Sequence, residues 1–220
     1  MATARPADYL PAARFDFLTP VFDIFVRGTT RERTFKRRLL DQARLEGELD
    51  VLDLGSGTGT LAIWAKQRNP RLGIRGLDGD PAIVEQARRK AARAGVEIPF
   101  DEGFSYELPY EDASFDRVLS SLFFHHLVLR DKERTIAEIA RVLRPGGELH
   151  VADWGDPRSL AAKVGAIAIR RFDGDEPTRD NLAGRLPELF EAGGLRDARE
   201  RERVAAPLGV VSLYSALRTA

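Results

Sequence analysis

Over residues 9–45 the apolar positions recur at helical spacing, with Phe15, Leu18, Phe22, Phe25 and Val26 on one face and Pro20 as a kink or boundary. From about residue 48 the pattern alternates between short apolar runs and amphipathic stretches. Strands are predicted over 48–54, 72–78, 96–100, 115–121 and 147–153, and helices over 58–68, 81–94 and 131–143. The last of these carries Ile136, Ile139, Ala140 and Leu143 on one stripe and is stopped by Pro145-Gly146-Gly147. Another helix over Leu186–Ala192 ends at Gly193-Gly194, and Leu195–Val204 with Leu208–Leu217 reads as an antiparallel hairpin.

Alternating β and α units predict an α/β fold with a doubly wound parallel sheet. Such sheets bind ligands beyond the carboxyl ends of their strands. Two segments fall outside this rhythm. Leu160–Ile169 is markedly apolar between charged flanks and reads as a buried helix, or alternatively as a lid over an apolar substrate. Arg31–Arg38 is basic and reads as a solvated helix face, with an electrostatic tether to anionic lipid left open.

Composition narrows the function classes. The formal net charge is zero, which gives no reason to expect nucleic acid as partner. No run of apolar residues is long enough to span a bilayer, and the first residues lack the apolar core of a signal peptide, so a cytoplasmic location is expected. Cysteine is absent, which removes disulfides, thiolate nucleophiles and cysteine-based metal sites together.

The densest chemical signal is Val51-Leu-Asp-Leu-Gly-Ser-Gly-Thr-Gly59. Gly55, Gly57 and Gly59 allow a sharp turn and close backbone approach to a ligand, just before a helix whose first N–H groups have no partner. A dinucleotide fingerprint has a third glycine where this chain has Thr60, and Asp53 sits poorly beside a pyrophosphate. A nucleoside cofactor without phosphate and with positive charge suits the turn better. Asp78, 19 residues after Gly59, lies where an acid accepts from ribose hydroxyls, whereas Asp80 before Pro81 reads as a helix cap.

Four segments in order, Val51–Gly59, Gly76-Leu-Asp78, Glu107–Asp116 and Arg141–Gly147, resemble the successive motifs of class I S-adenosylmethionine-dependent methyltransferases. Within that group the chain is similar to the ubiquinone/menaquinone-biosynthesis type, also called methyltransferase type 11. The resemblance implies a Rossmann-like seven-stranded sheet in the order 3-2-1-4-5-7-6 with strand 7 antiparallel. It also implies a helical cap over residues 1–45, and a single domain over 46–220 with a lid-like insertion at about 156–180. S-adenosylmethionine would be the cofactor and S-adenosylhomocysteine the product. Asp53, Gly55, Ser56, Gly57 and Gly59 would hold its methionine part and Asp78 its ribose. Leu77 and Gly79 would flank the nucleoside, with Ser121 nearby. The chain departs from the pattern at the adenine: Phe104 stands where many relatives carry an acid. Phe104 would wall the adenine with the Ser105 backbone as polar contact, or Asp101 or Glu102 would supply the acid from a shifted loop.

Methyl transfer from a sulfonium is an in-line displacement of a good leaving group, so alignment matters most and a base helps when the acceptor must lose a proton. By resemblance, His125 or His126 after the fourth strand would pair with Asp153 after the fifth as that base. Tyr9, Phe123, Phe124 and Trp154 are the candidate walls of an acceptor pocket. No third ligand at suitable spacing accompanies the two histidines, so no metal is expected. The expected acceptor is a small hydrophobic or amphipathic molecule: a quinol precursor, a lipid or an amine. The competing readings are a nicotinamide-dependent oxidoreductase, disfavoured by the glycine spacing and the lack of a Tyr-x-x-x-Lys pair, and a non-catalytic cofactor-binding regulator or subunit. The acceptor atom and the oligomeric state are not encoded in any motif.

Overall fold

The computed structural model describes residues 32–219. The apolar stripe of Phe15–Val26 and the candidate Tyr9 lie outside the described residues. Seven strands form one sheet: β1 (Asp50–Leu54), β2 (Gly73–Asp78), β3 (Phe100–Glu102), β4 (Phe115–Ser121), β5 (Leu143–Trp154), β6 (Arg196–Ala206) and β7 (Gly209–Leu217). Their order is β3-β2-β1-β4-β5-β7-β6. β1 to β5 pair in parallel, and β7 runs antiparallel to both β5 and β6. Both the expected order and the reversed seventh strand are present.

Helices cover both faces. On one face lie α1 (Glu32–Ala43), α2 (Thr60–Arg68) and α3 (Pro81–Arg93), with Phe35, Leu39, Leu61, Val84 and Ala87 buried against the sheet. α5 (Leu160–Asp173) closes the same face at Trp154 through Ala166 and Ile169. On the other face lie α4 (Leu129–Val142) and α7 (Leu186–Ala192), whose Ile136, Ile139, Leu186 and Phe190 meet Leu52, Leu54, Val118 and Val151. Alternation along β1 decides the split: Val51 and Asp53 point to the first face, Leu52 and Leu54 to the second. α1 is therefore part of the core along its described length.

Local chemistry sets the boundaries. Asp80 caps α3, its side chain accepting from the N–H groups of Ala82 at 2.8 Å and Ile83 at 3.4 Å, with Pro81 as first helical residue. β3 begins at Phe100, later than the 96–100 expected, because Pro99 has no N–H to give a ladder. β5 begins at Leu143 instead of 147. Pro145-Gly146-Gly147 does not end it but forms a register shift against β4, with Gly146 at φ 80°.

Two expectations are corrected. α5 is not a buried helix: Leu160 is 80%, Val164 63%, Ile167 68% and Phe172 74% exposed. Its inner face is made of small residues, Ala162, Gly165 and Ala166, with Ile169. A Cβ at Gly165 would lie 2.2 Å from the Leu208 carbonyl oxygen, so only glycine lets the helix come this close to the β6–β7 turn. The basic stretch after Arg31 is not one solvated face either. Lys36 is buried and pairs with Glu32 at 2.7 Å, while Arg33, Arg37 and Arg38 face solvent.

A further helix, α6 (Asp175–Leu182), escaped the sequence reading because its residues are mostly polar. It is anchored by the fully buried Lys132 of α4, whose ammonium donates to the Pro177 carbonyl at 2.6 Å and to Asp180 at 3.4 Å. Among the described residues, no helix is long and apolar enough to cross a membrane.

Gly76 lies where β2 meets the Phe100 ring: a Cβ there would stand 2.5 Å from Phe100 Cδ1 and 2.9 Å from Ser56 Oγ. Gly76→Ala is expected to lower stability by about 1–3 kcal/mol through overpacking. Adding Phe100→Leu should recover part of the loss. Denaturant melts of the two single variants and the double variant test this, and strictly additive losses would refute the contact as the cause.

Candidate active site

The chain leaves β1 through Gly55, Gly57 and Gly59, with φ of 66°, 52° and 73°. These are left-handed values that a side chain makes costly. A Cβ on Gly55 would also lie 2.3 Å from the Phe123 ring. α2 has no side-chain cap of its own, since Gly59 stands at that position. Asp53 serves instead, its Oδ2 accepting from the Ala62 N–H at 3.1 Å. Its Oδ1 is buried without a partner, as is the neighbouring Ser56 Oγ. Burial pushes the Asp53 carboxyl up to about 7, against the pull of the Lys36 charge and the Ala62 hydrogen bond.

Asp78 ends β2 and ties three loops. Its Oδ2 accepts from Gly57 N–H at 2.8 Å, its Oδ1 from Asp80 N–H at 3.1 Å, and its carbonyl from Gly103 N–H at 3.1 Å. Burial raises its pKa despite these bonds. Gly79 follows it at the half-buried rim of the turn. Phe104 is half-buried and stacks on Tyr106 with centroids 5.3 Å apart. The Ser105 hydroxyl is 2.7 Å from that of Thr135, which fixes this loop to α4 and leaves the Ser105 backbone as the polar edge beside Phe104. Asp101 is held by Arg75 Nε at 3.1 Å and the Tyr110 hydroxyl at 2.9 Å, so it is already engaged. Glu102 stays exposed, opposite Asp78 in the β2–β3 register.

β4 ends at the half-buried Ser121, and Leu122 turns the chain at φ 53°, a rare conformation for a branched side chain. A single 3-10 turn, Phe124–His126, follows. Asp153, fully buried on β5, organises it. Its Oδ2 accepts from the N–H groups of Phe123 at 3.0 Å and Phe124 at 2.8 Å; its Oδ1 accepts from Trp154 N–H at 2.7 Å and lies 2.7 Å from His125 Nδ1. Of the two histidines, His125 is thus the partner of Asp153. Burial alone would lower the His125 pKa, but the Asp153 carboxylate, and after it Asp173, hold it above the ordinary imidazole value. Burial opposes ionisation of Asp153 as well, and the His125 charge keeps its pKa low. His126 is exposed, with its ring centroid 4.0 Å from that of His125. The mass of the protein around it, then the His125 charge, push its pKa down, although solvent on its open side screens part of that push.

The aromatic candidates separate. Phe123 is half-buried over the glycine turn. Phe124 is fully buried, edge-on to Phe190 with centroids 5.5 Å apart, and belongs to the core instead of an open pocket. Trp154 is 5% exposed and packs with Ala166 and Ile169, its ring 6.3 Å from His125. One group escaped the sequence reading. Asp173, the last residue of α5, places its Oδ2 3.9 Å from His125 Nε2. Only the fold brings it there, since no local spacing connects it to the histidines.

The methyltransferase domain family matches residues 51–147. The demethylmenaquinone methyltransferase of Deinococcus radiodurans is 36% identical over 148 residues, 67% of this chain and 58% of that protein. Its counterpart from Thermus thermophilus is 34% identical over 145 residues, 65% of each chain. The match thus spans less than two thirds of the length of these relatives. A S-adenosylmethionine-dependent methyltransferase from Aquifex aeolicus shares the fold, with a TM-score of 0.68 at 17% identity over 94% of this chain and all of that one. The donor set fits this cofactor: the partnerless Asp53 Oδ1 and Ser56 Oγ beside the glycine turn would be satisfied by a polar, cationic ligand.

A cation beside Asp53 requires the carboxylate ionised, so binding must release its proton. The affinity for S-adenosylhomocysteine, whose amino group is cationic, is expected to fall about tenfold from pH 8 to pH 6 as Asp53 protonates around its folded value near 7. The same shift means that stability contributed by protonated Asp53 is fully present below the ordinary carboxylate value of 3.8 and is lost as pH rises towards 7. Asp53→Asn should flatten both profiles. Calorimetric titrations across this range provide the check, and a flat wild-type profile would remove Asp53 from the cation site.

Proposed function

We propose that the chain is a class I S-adenosylmethionine-dependent methyltransferase and that it methylates a small aromatic acceptor of the quinol type. The observation that carries the acceptor side is the buried carboxylate–imidazole pair of Asp153 and His125 beside the glycine turn, with Phe123 between them. The similarity to two demethylmenaquinone methyltransferases supports the acceptor class.

S-adenosylmethionine brings an electrophilic methyl group on a positively charged sulfur. The chain's residues do the rest. Asp53 and the glycine turn hold the methionine end, and Asp78 the ribose. Phe104 and the Ser105 backbone bound the adenine, at the edge of a loop fixed to α4. Asp153 freezes the turn after β4, which aims His125 and keeps Phe123 against Gly55. A planar acceptor resting on Phe123 presents its hydroxyl to the histidine cluster, which receives the proton as the nucleophile forms. α5, with its apolar outer face, flanks this entrance and favours a hydrophobic or amphipathic acceptor over a nucleic acid.

A transfer assay with methyl-labelled cofactor against quinol precursors, phospholipids and small amines is expected to label the quinol class. His125→Ala should lower turnover by about 10²–10⁴-fold, the range of a lost general base, while the affinity for S-adenosylhomocysteine stays close to wild type. Equal turnover of the variant would refute the role of the histidine, and labelling of amines alone would refute the acceptor.

A further inference from the structure

We propose that His125, His126 and Asp173 form a binding site for one divalent transition-metal ion of the zinc type. One ring nitrogen of each histidine and a carboxylate oxygen of Asp173 all lie within 4.8 Å of one another. A zinc ion with nitrogen and oxygen ligands at about 2.0–2.2 Å sets neighbouring ligand atoms about 3.4 Å apart, so closing the site takes movements of roughly 1.5 Å or less. The His125 Nε2 to Asp173 Oδ2 separation, 3.9 Å, is already near that value and too long for a hydrogen bond.

The surroundings are those of a ligand histidine. His125 offers Nε2 to the cluster because Nδ1 is committed to Asp153 at 2.7 Å. A carboxylate behind the far nitrogen fixes the tautomer and ring orientation of metal-bound imidazoles and raises their basicity. Asp153 is itself immobilised by three backbone N–H groups, so the orientation is rigid. The cluster combines two imidazoles and one carboxylate, and the exposed His126 gives solvent a route to it. Three protein ligands leave a coordination position for water or an acceptor oxygen. The nearby cation Lys132 is offset by Asp180 at 3.4 Å.

The inference rests on the reading of this cluster as the acceptor-activating group and specifies how it acts. In the loaded site the metal takes the place of the proton on His125 Nε2. With the ion on His125 Nε2, that nitrogen would no longer take the proton; an acceptor hydroxyl in the open position would be stabilised by the ion as its oxyanion and its proton would pass to solvent. Because Asp173 ends α5, the ion would also tie that helix down beside the turn after β4.

The test uses the full chain, free of any histidine tag and dialysed against chelator, titrated with Zn²⁺ by calorimetry and with Co²⁺ by visible absorption. One equivalent per chain is expected, with the Co²⁺ bands of a four- or five-coordinate site. Asp173→Asn and His126→Gln should each weaken binding by at least tenfold, and Asp153→Asn by about 10–100-fold as a positioning residue. Affinity for S-adenosylhomocysteine and the melting temperature of Asp173→Asn and His126→Gln are expected to match wild type. Absence of stoichiometric binding, or binding unchanged in both ligand variants, overturns the metal site. If that happens while cofactor binding and methyl transfer persist, the methyltransferase reading stands without it; loss of cofactor binding in the wild type would instead overturn that reading.

Discussion

Three carboxylates at the carboxyl ends of β1, β2 and β5, those of Asp53 and Asp153 fully buried and that of Asp78 half-buried, hold the loops of this site by accepting backbone N–H groups. Burying a carboxylate costs several kcal/mol, and each charge-assisted hydrogen bond returns about 1.5–3 kcal/mol. The balance differs at each position. Asp153 has three N–H donors and an imidazole, and its pKa stays low. Asp78 has fewer donors and is raised. Asp53 accepts from one N–H, leaves one oxygen without a partner and rises to about 7. The least compensated acid is thus the one placed beside the glycine turn, where a ligand's positive charge would supply what the fold withholds.

The parallel sheet constrains where these acids can sit. β1 and β4 pair so that Leu54 lies opposite Ser120, and β4 and β5 so that Ser121 lies opposite Ala152. The strands therefore end almost level, and the turns that follow them share one rim. The three glycines of the turn and Leu122, all with left-handed backbone, lie on this rim. Strain of this kind persists where surrounding contacts over-determine it. Here the contacts are the hydrogen bonds to Asp53, Asp78 and Asp153 and the packing of Phe123 over Gly55.

The cofactor side was legible in the sequence because its determinants are local. Gly55–Gly59 shape their own turn, the Asp80-Pro81 cap acts within three residues of its own position, Asp78 stands at the end of a strand that periodicity marks, and the parallel strands fall within a few residues of their expected places. The acceptor side was less legible because its contacts cross the sequence. The choice between His125 and His126 depends on how β5 lies beside β4. The core position of Phe124 depends on Phe190 from α7, and Asp173 arrives from the end of α5. α6 was missed since its burial rests on polar anchors, Lys132 above all, that carry no hydrophobic period. The apolar composition of α5 suggests burial, whereas only Ala162, Gly165, Ala166 and Ile169 face the rest of the fold.

That thin contact divides the molecule into a part that is fixed and a part that can be exchanged. α5 meets the rest of the fold through Ala162, Gly165, Ala166 and Ile169, with Gly165 against the Leu208 backbone. Its large side chains contribute little to the core, so substitutions at Leu160, Val164, Ile167 and Phe172 leave the sheet and the glycine turn undisturbed. A descendant of this chain can therefore trade the outer face of one helix for another without refolding the sheet beneath it, and selection can tune that face independently of the glycine turn.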